Sequence, residues 1–367
     1  MLFRYKTLFI TRFCMVLTTI WFFHSCNRVN QPDSINETLQ MYDDSAKTVY
    51  RNNPEWILET SDTALKLINT YNLNDSLTVN WLTLKFTTLV SLDRRDAAMT
   101  MLSSEREKFI ISGNDYLLTY TDLYLGENFL DDGKTKLAGK FIREGYHKAI
   151  LSTSQYFIAW AHNLMGSLLR VEGDYKQSQF HLIKALELFE NQNVLHAVGA
   201  VCNNIALNYE ATGDSAKTLA YLLKSLHIAE TSADTVNILA SLNNLGIFYR
   251  TYKPDSAIFI FNQALNKTGN PAFLFQILSL KFNLGNYYLD RKEYKRAKQI
   301  FEEVLYTCLN YQILAGVARS YNALAMIYDA ENNNEKALNY YLRAYRLADS
   351  IGETGDAVTF LDNLRYI

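Results

Sequence analysis

The chain has 367 residues, 49% of them apolar and 20% charged, with only 4 prolines and 15 glycines. This composition belongs to a folded chain and leaves no room for long disordered linkers. The 36 basic and 38 acidic residues give a net charge of -2, and no long basic stretch interrupts that balance, so the electrostatic footprint of a nucleic-acid binder is missing.

In chain order, the first element is an apolar run of 11 residues, Phe13 to Phe23, preceded by Arg4, Lys6 and Arg12 and followed by Ser25 and Cys26. Positive charge ahead of a short apolar stretch is the pattern of an export signal, assigned to residues 1–25. The run is too short to span a bilayer as a mature helix, although Thr7 to Phe23, with Arg12 inside it, leaves an uncleaved anchor open. Residues 26–73 read as a tether and a divergent helical hairpin, Ile35 to Tyr50 and Pro54 to Tyr71.

Residues 74–352 are periodic. Phe86, Gly126, Gly166, Ala206, Gly246, Gly285 and Ala325 follow one another at 40 residues, once at 39, and all but the first are small. Each is followed three positions later by Leu89, Phe129, Leu169, Tyr209, Tyr249, Tyr288 or Tyr328. A second row, Ala98, Ala138, Ser178, Thr218, Ala257, Ala297 and Ala337, precedes Leu102, Ile142, Leu182, Leu222, Phe261, Phe301 and Tyr341 by four. Spacings of three and four mark helix faces, and small residues opposite large ones let two helices cross closely. Each period therefore predicts a helical hairpin with its turn at Asp132-Gly133-Lys134, Glu172-Gly173-Asp174 or Thr212-Gly213-Asp214. Tyr252-Lys253-Pro254-Asp255-Ser256 is one residue shorter and accounts for the interval of 39. Residues 353–367 predict a capping helix with Ala357, Phe360, Leu364 and Ile367 on one face. The fold class is all-α, a right-handed α-solenoid of antiparallel helix hairpins.

This register resembles the tetratricopeptide repeat. Two stretches carry its pattern almost intact: Asn283-Leu284-Gly285 with Tyr288, Tyr294, Ala297 and Phe301, and Leu324-Ala325 with Tyr328, Ala337, Tyr341 and Ala344. Residues 74–112, with Lys85-Phe86 in place of Leu-Gly, form a degenerate unit. The family's usual repeat is shorter, about 34 residues; the extra length, as at Phe189 to Val194, is expected to lengthen helices. Similar long forms occur in kinesin light chains, which share the run seen at Leu242 to Gly246. HEAT and armadillo repeats have a comparable period but do not require the small-aromatic-small register.

Cys26, directly after the apolar core, is similar to the lipidated cysteine of a bacterial lipoprotein, in the relaxed form found in Bacteroidetes, with Phe23 and His24 where Leu and a small residue are usual. That resemblance implies a lipid anchor on Cys26 and a cell-envelope, periplasm-facing location. Eight Asp-Ser/Thr-apolar tripeptides, beginning at Asp33, Asp44, Asp62, Asp75, Asp214, Asp234, Asp255 and Asp349, are similar to an O-glycosylation acceptor in the same group. Helix capping is the expected reason for most of them. Cys202 and Cys308, more than two periods apart, are expected as small buried residues without a disulfide.

No P-loop, HExxH, CxxC or Gly-x-Ser-x-Gly motif is present, so the expectation is no enzyme activity, no cofactor and no metal. His147, His162, His181, His196 and His227 stand singly, and Asp131-Asp132 and Asp329 to Asn334 read as solvated hairpin turns. Asn204, Asn244 and Asn283, two before the anchor, match the family consensus and read as structural. Asn163, Asn203, Asn243 and Asn322 fall one residue earlier, at a position that in the family faces the concave groove, along with Arg170, Glu210 and Arg250. In repeats of the kinesin-light-chain kind such amides hold an extended peptide, since an amide both donates and accepts; the alternative is that each bonds its neighbouring repeat. The resulting expectation is a non-enzymatic, membrane-tethered scaffold that binds a protein or peptide partner. The alternative is the sensory part of a signalling system whose output module is on another chain or lost. A glycan-capturing lipoprotein of the SusD kind is disfavoured by the regularity of the repeats.

Overall fold

The structure is a computed structural model and describes residues 31–49, 53–92, 94–268, 273–351 and 354–364. The predicted export signal and Cys26 lie outside these residues. Among them the chain forms 17 α-helices and no strand. They are α1 (Gln31–Val49), α2 (Pro54–Thr70), α3 (Asp75–Ser91) and α4 (Arg95–Ser112), then the pairs α5 (Asp115–Asp131) with α6 (Thr135–Leu151) and α7 (Gln155–Val171) with α8 (Tyr175–Asn191). Next come α9 (Leu195–Ala211) with α10 (Ser215–Thr231), α11 (Thr235–Tyr252) with α12 (Pro254–Asn266) and α13 (Leu274–Asp290) with α14 (Tyr294–Asn310). The series ends with α15 (Leu314–Ala330), α16 (Asn334–Ser350) and α17 (Thr354–Leu364). The chain divides into two units, Met1–Thr88 and Leu89–Ile367.

In the first unit, Asn53 caps α2 by accepting from the Trp56 N–H at 3.3 Å, and Pro54 fills the first helical position, where no donor is needed. Leu39, Ile57, Ala64, Ile68 and Trp81 form its core.

In the second unit the hairpin turns carry the chemistry that the sequence implies. Gly173 and Gly213 adopt φ of 86° and 82°, so the following N–H groups of Asp174 and Asp214 reach back to the carbonyls of Leu169 and Tyr209 at 2.9 Å. Asp174 and Asp214 then cap the next helices by accepting from the N–H groups of Gln177 and Lys217 at 3.0 Å. The shorter turn has no left-handed residue: α11 runs to Tyr252, Lys253 is extended at φ -148°, and Pro254 opens α12. Of the eight Asp-Ser/Thr tripeptides, those at Asp214 and Asp234 cap a helix with the Asp side chain. Asp33, Asp44 and Asp62 fall within α1 and α2, and Asp349 in the last turn of α16. Asp75 and Asp255 stand in the first turns of α3 and α12, and Asp33 is the third residue of α1, so five of the eight tripeptides lie at helix starts.

Each hairpin closes by seating a large side chain of its second helix on a small residue of its first. A Cβ added at Gly166 would stand 2.6 Å from Leu182 Cγ, and one at Gly285 would stand 2.6 Å from the Phe301 ring. Ile142, Leu182, Phe261 and Phe301 are fully buried as a result, each contributing roughly 1.5–3 kcal/mol of apolar burial. The cores are local. Ala159 of α7 meets Leu182, Ala185 and Phe189 of α8 and Val201 and Ile205 of α9; Leu239 and Leu242 of α11 meet Phe261 of α12 and Leu280 of α13. Stability is thus built between nearest neighbours. Cys202 and Cys308 are free and buried, and burial pushes both thiols up to about 11. At the C-terminal end Ala357 and Phe360 of α17 complete a core with Ala318 of α15 and Ala344 and Ala348 of α16.

The first helices α5, α7, α9, α11, α13 and α15 touch one another in succession, whereas the second helices do not approach each other as closely. The first helices therefore line the inner side of the stack.

Two substitutions test this account by chemical denaturation. Gly126→Ala places a Cβ 2.9 Å from the Ile142 backbone nitrogen, which no rotamer change relieves, and is expected to cost about 1–3 kcal/mol. Lys292 holds φ 59° at the turn position occupied by glycine in three earlier hairpins; Lys292→Gly is expected to stabilise by about 1 kcal/mol.

Candidate functional site

Counted from the small anchor of each first helix, positions -6, -3, +1 and +4 share one face, because successive residues turn by about 100°. The predicted contact residues occupy this face: Asn163, Asn203, Asn243 and Asn322 at -3, and Arg170, Glu210 and Arg250 at +4. The two asparagine classes separated in the sequence are partners in the structure. Asn163 Oδ1 accepts from Asn204 Nδ2 at 2.9 Å, Asn243 Oδ1 from Asn283 Nδ2 at 2.8 Å, and Asn322 Oδ1 from Asn363 Nδ2 at 2.9 Å. Three rungs of amide thus join consecutive repeats, and the carbonyl ends of these asparagines are occupied.

The NH2 ends are not. Among the described residues, Asn163 Nδ2 and Asn243 Nδ2 donate to no protein group, and Asn322 Nδ2 meets only the Met326 sulfur at 3.8 Å. One rung is open: Asn203 Oδ1 is buried without a partner, although Asn244 stands where Asn204, Asn283 and Asn363 stand in the other rungs. The face therefore presents a file of donors, suited to the carbonyls of an extended main chain.

The charged row is partly spent inside the stack. Arg250 Nε lies 3.3 Å from the Asp290 carboxylate on α13. Burial pulls the Arg170 guanidinium below its ordinary value, opposed by Tyr175 and Glu210, and its Nε has no partner.

Sequence reasoning missed the other end of the face. Trp160 of α7 donates to the Glu127 carboxyl of α5, yet burial, with Asp131 one turn on, pushes that carboxyl up to about 7. Tyr120, Tyr124 and Tyr156 pack on Trp160 with ring centroids 6.1, 6.3 and 6.4 Å away. Glu127 at +1 and Trp160 at -6 were available as a signal on the same register, but each occurs in one repeat only. Asp131 and Asp132 are not simply solvated: Arg95 Nε donates to Asp132 at 2.7 Å, and burial raises Asp131 while Arg95 lowers it.

Two of the single histidines also meet. His162 Nδ1 and His181 Nδ1 are 3.0 Å apart, with the Tyr146 ring edge-on to both. One nitrogen must donate and the other accept, which requires at least one neutral ring. Burial, then His181 and Lys184, lowers His162 to about 4. The described residues contain no group of three His, Cys, Asp or Glu able to hold a metal and no helix long and apolar enough to cross a membrane.

Residues 275–350, which make up α13 to α16, match the family model of the tetratricopeptide repeat. No curated sequence matches the chain. Among solved structures it is similar to a Rap protein complexed with Competence and Sporulation Factor, at 15% identity and a TM-score of 0.56 over 90% of this chain and 97% of that one. It is also similar to aspartyl phosphate phosphatase F from Bacillus subtilis, at 16% identity and a TM-score of 0.51 over 77% and 74%. NprR in complex with its cognate peptide NprX matches at 14% and 0.50 over 74% and 82%. Likeness at these identities is one of fold. The second unit is an all-α stack of helix hairpins with the fold of tetratricopeptide-repeat solenoids, and its two C-terminal hairpins carry that repeat in sequence as well.

Because the folded state holds a proton on Glu127 up to about pH 7 while the unfolded chain releases it near 4.5, stability must fall as pH rises through that window. Glu127→Gln keeps an acceptor for Trp160 and is expected to be the more stable protein at pH 8, by up to about 3 kcal/mol. The difference should vanish near pH 4.5. Urea titrations of both proteins at the two pH values measure it.

Proposed function

We propose that the protein is a non-enzymatic interaction scaffold, tethered to a bacterial cell-envelope membrane by a lipid on Cys26 and facing the periplasm, which holds an extended peptide segment or partner protein on its inner face. The observation that carries this reading is the amide file: Asn163, Asn243 and Asn322 are fixed through their oxygens and keep their NH2 groups toward the face. Side chains held in one orientation before binding lose little entropy when a partner arrives. Donors directed at main-chain carbonyls hold a segment whatever its side chains, and Arg170, Glu210 and the Glu127–Trp160 end supply selection. A cationic group of the partner beside Glu127 is favoured once that carboxyl ionises, so capture should strengthen as pH rises past about 7.

A second reading is the sensory part of a signalling system. The similar fold of NprR, a quorum sensor with a cognate peptide, favours keeping it.

Asn243→Asp with Asn322→Asp retains the acceptors for Asn283 and Asn363 and removes two donors. At about 1 kcal/mol for each net hydrogen bond, partner capture from envelope extract should fall by at least about tenfold while thermal stability changes little. Unchanged capture would remove the inner face from the proposal. Recovery of a transcriptional or kinase regulator, in place of structural or secretion proteins, would favour the sensory reading. Fatty-acid labelling that persists in Cys26→Ala would reject the tether.

A further inference from the structure

Repetition supplies an internal control for every position, and one position departs from it in a way the inner face does not explain. Two residues after the anchor, four first helices carry Leu168, Phe248, Tyr287 and Ile327 inside the core, while α3 and α5 carry Thr88 and Asn128, which donate back to the carbonyls of Leu84 and Tyr124 in their own helices. α9 carries Asn208, 2% exposed. Opposite it on α8 is Gln179, where α10 and α12 have Leu219 and Ile258.

Their orientation is determined by the protein itself. Asn208 Nδ2 donates to the Tyr175 carbonyl at 3.1 Å and to Gln179 Oε1 at 2.9 Å. Turning either amide over would set acceptor against acceptor or donor against donor. What remains is Asn208 Oδ1 and Gln179 Nε2, one acceptor and one donor, both buried and both without a partner. A buried donor or acceptor left unpaired is destabilising, a cost the flanking repeats avoid with Leu168 and Phe248 at the Asn208 position.

Both residues line a groove of about 620 Å³ between α8 and the C-terminal turn of α9. Phe180, 54% exposed, and Tyr209 supply apolar surface. Lys176 and Lys184 supply two ammonium groups, and no carboxylate lines the groove. At about 100° per residue, Asn208 lies about 140° and 160° around α9 from Asn203 and Glu210, so its side chain points away from the row of inner-face residues.

We propose that this groove is a second binding site, which takes an extended acidic peptide segment whose main-chain N–H and C=O pair with Asn208 and Gln179. In an extended chain the N–H and C=O of one residue point to the same side, matching one acceptor beside one donor. An apolar side chain of the segment lies against Phe180 and Tyr209, and its carboxylates meet Lys176 and Lys184. The site does not depend on the inner-face reading.

The test is selection of a random twelve-residue phage-displayed peptide library on the immobilised full chain, followed by fluorescence polarisation with the selected peptides. Acidic sequences with a large apolar residue should be enriched. Their affinity should drop at least tenfold in Asn208→Leu and in Lys176→Glu with Lys184→Glu, and should be unaffected by Asn243→Asp with Asn322→Asp. Because Asn208→Leu installs the residue type of the neighbouring repeats, it should fold and be at least as stable as the parent. Enrichment of basic or neutral sequences, no enrichment at all, or binding that survives Asn208→Leu overturns the proposal. Binding lost only in the inner-face variant overturns it while leaving the scaffold reading intact.

Discussion

The close crossing of the two helices in each hairpin is the constraint on which the rest depends. Gly166 admits Leu182, and Gly246 and Gly285 admit the rings of Phe261 and Phe301 to within what a Cβ would need. That contact sets how deeply the second helix sits on the first. It leaves the opposite flank of each second helix free to pack on the next first helix, as Leu186 and Phe189 do beside Val198 and Val201. Ridge-in-groove packing repeated at a constant period propagates a constant step. A constant step brings residues 40 or 41 positions apart to the same height on adjacent first helices, which is how Asn163 meets Asn204 and Asn322 meets Asn363.

The polar features then sort by whether the stack consumes them. Asn204, Asn283 and Asn363 are spent on rungs, and Asp174 and Asp214 on caps. Arg95 is spent on Asp132, and Asp122, fully buried, on Arg106 at 2.5 Å and Lys148 at 2.8 Å. Such groups need their partners because a buried charge left alone is costly. Among the features that remain are the NH2 file on the inner side and the unpaired atoms of Arg170, Ser178, Asn203, Asn208 and Gln179. Leu168, Phe248, Tyr287 and Ile327 show that the Asn208 position accepts an apolar residue, so polar atoms left unpaired there carry more weight than they would in an irregular fold.

Much of this was legible in advance. The period, the small anchors and the Gly-Asp turns predicted α5 to α16 almost helix by helix, because each depends on residues within a few positions of one another. The first hairpin also lies where its pattern placed it, with Pro54 opening α2. Among the tripeptides beginning with Asp, Asp44 and Asp62 depart from the preference of Asp and Ser for helix starts because they sit inside continuous helices whose apolar stripes outweigh it.

The sequence by itself determined the hairpins, their turns, the order of the helices and which residues face the core, since these follow from spacings of three, four and 40 residues. Only the tertiary structure decided that the asparagines of adjacent registers pair, that the Asn203 rung stays open, that His162 meets His181, that Trp160 shelters Glu127, and that Asn208 and Gln179 leave two atoms unpaired. Each of these joins side chains on separate helices. Whether two amides or two rings come within 3 Å depends on sub-ångström offsets between stacked helices, which periodicity along the chain does not encode.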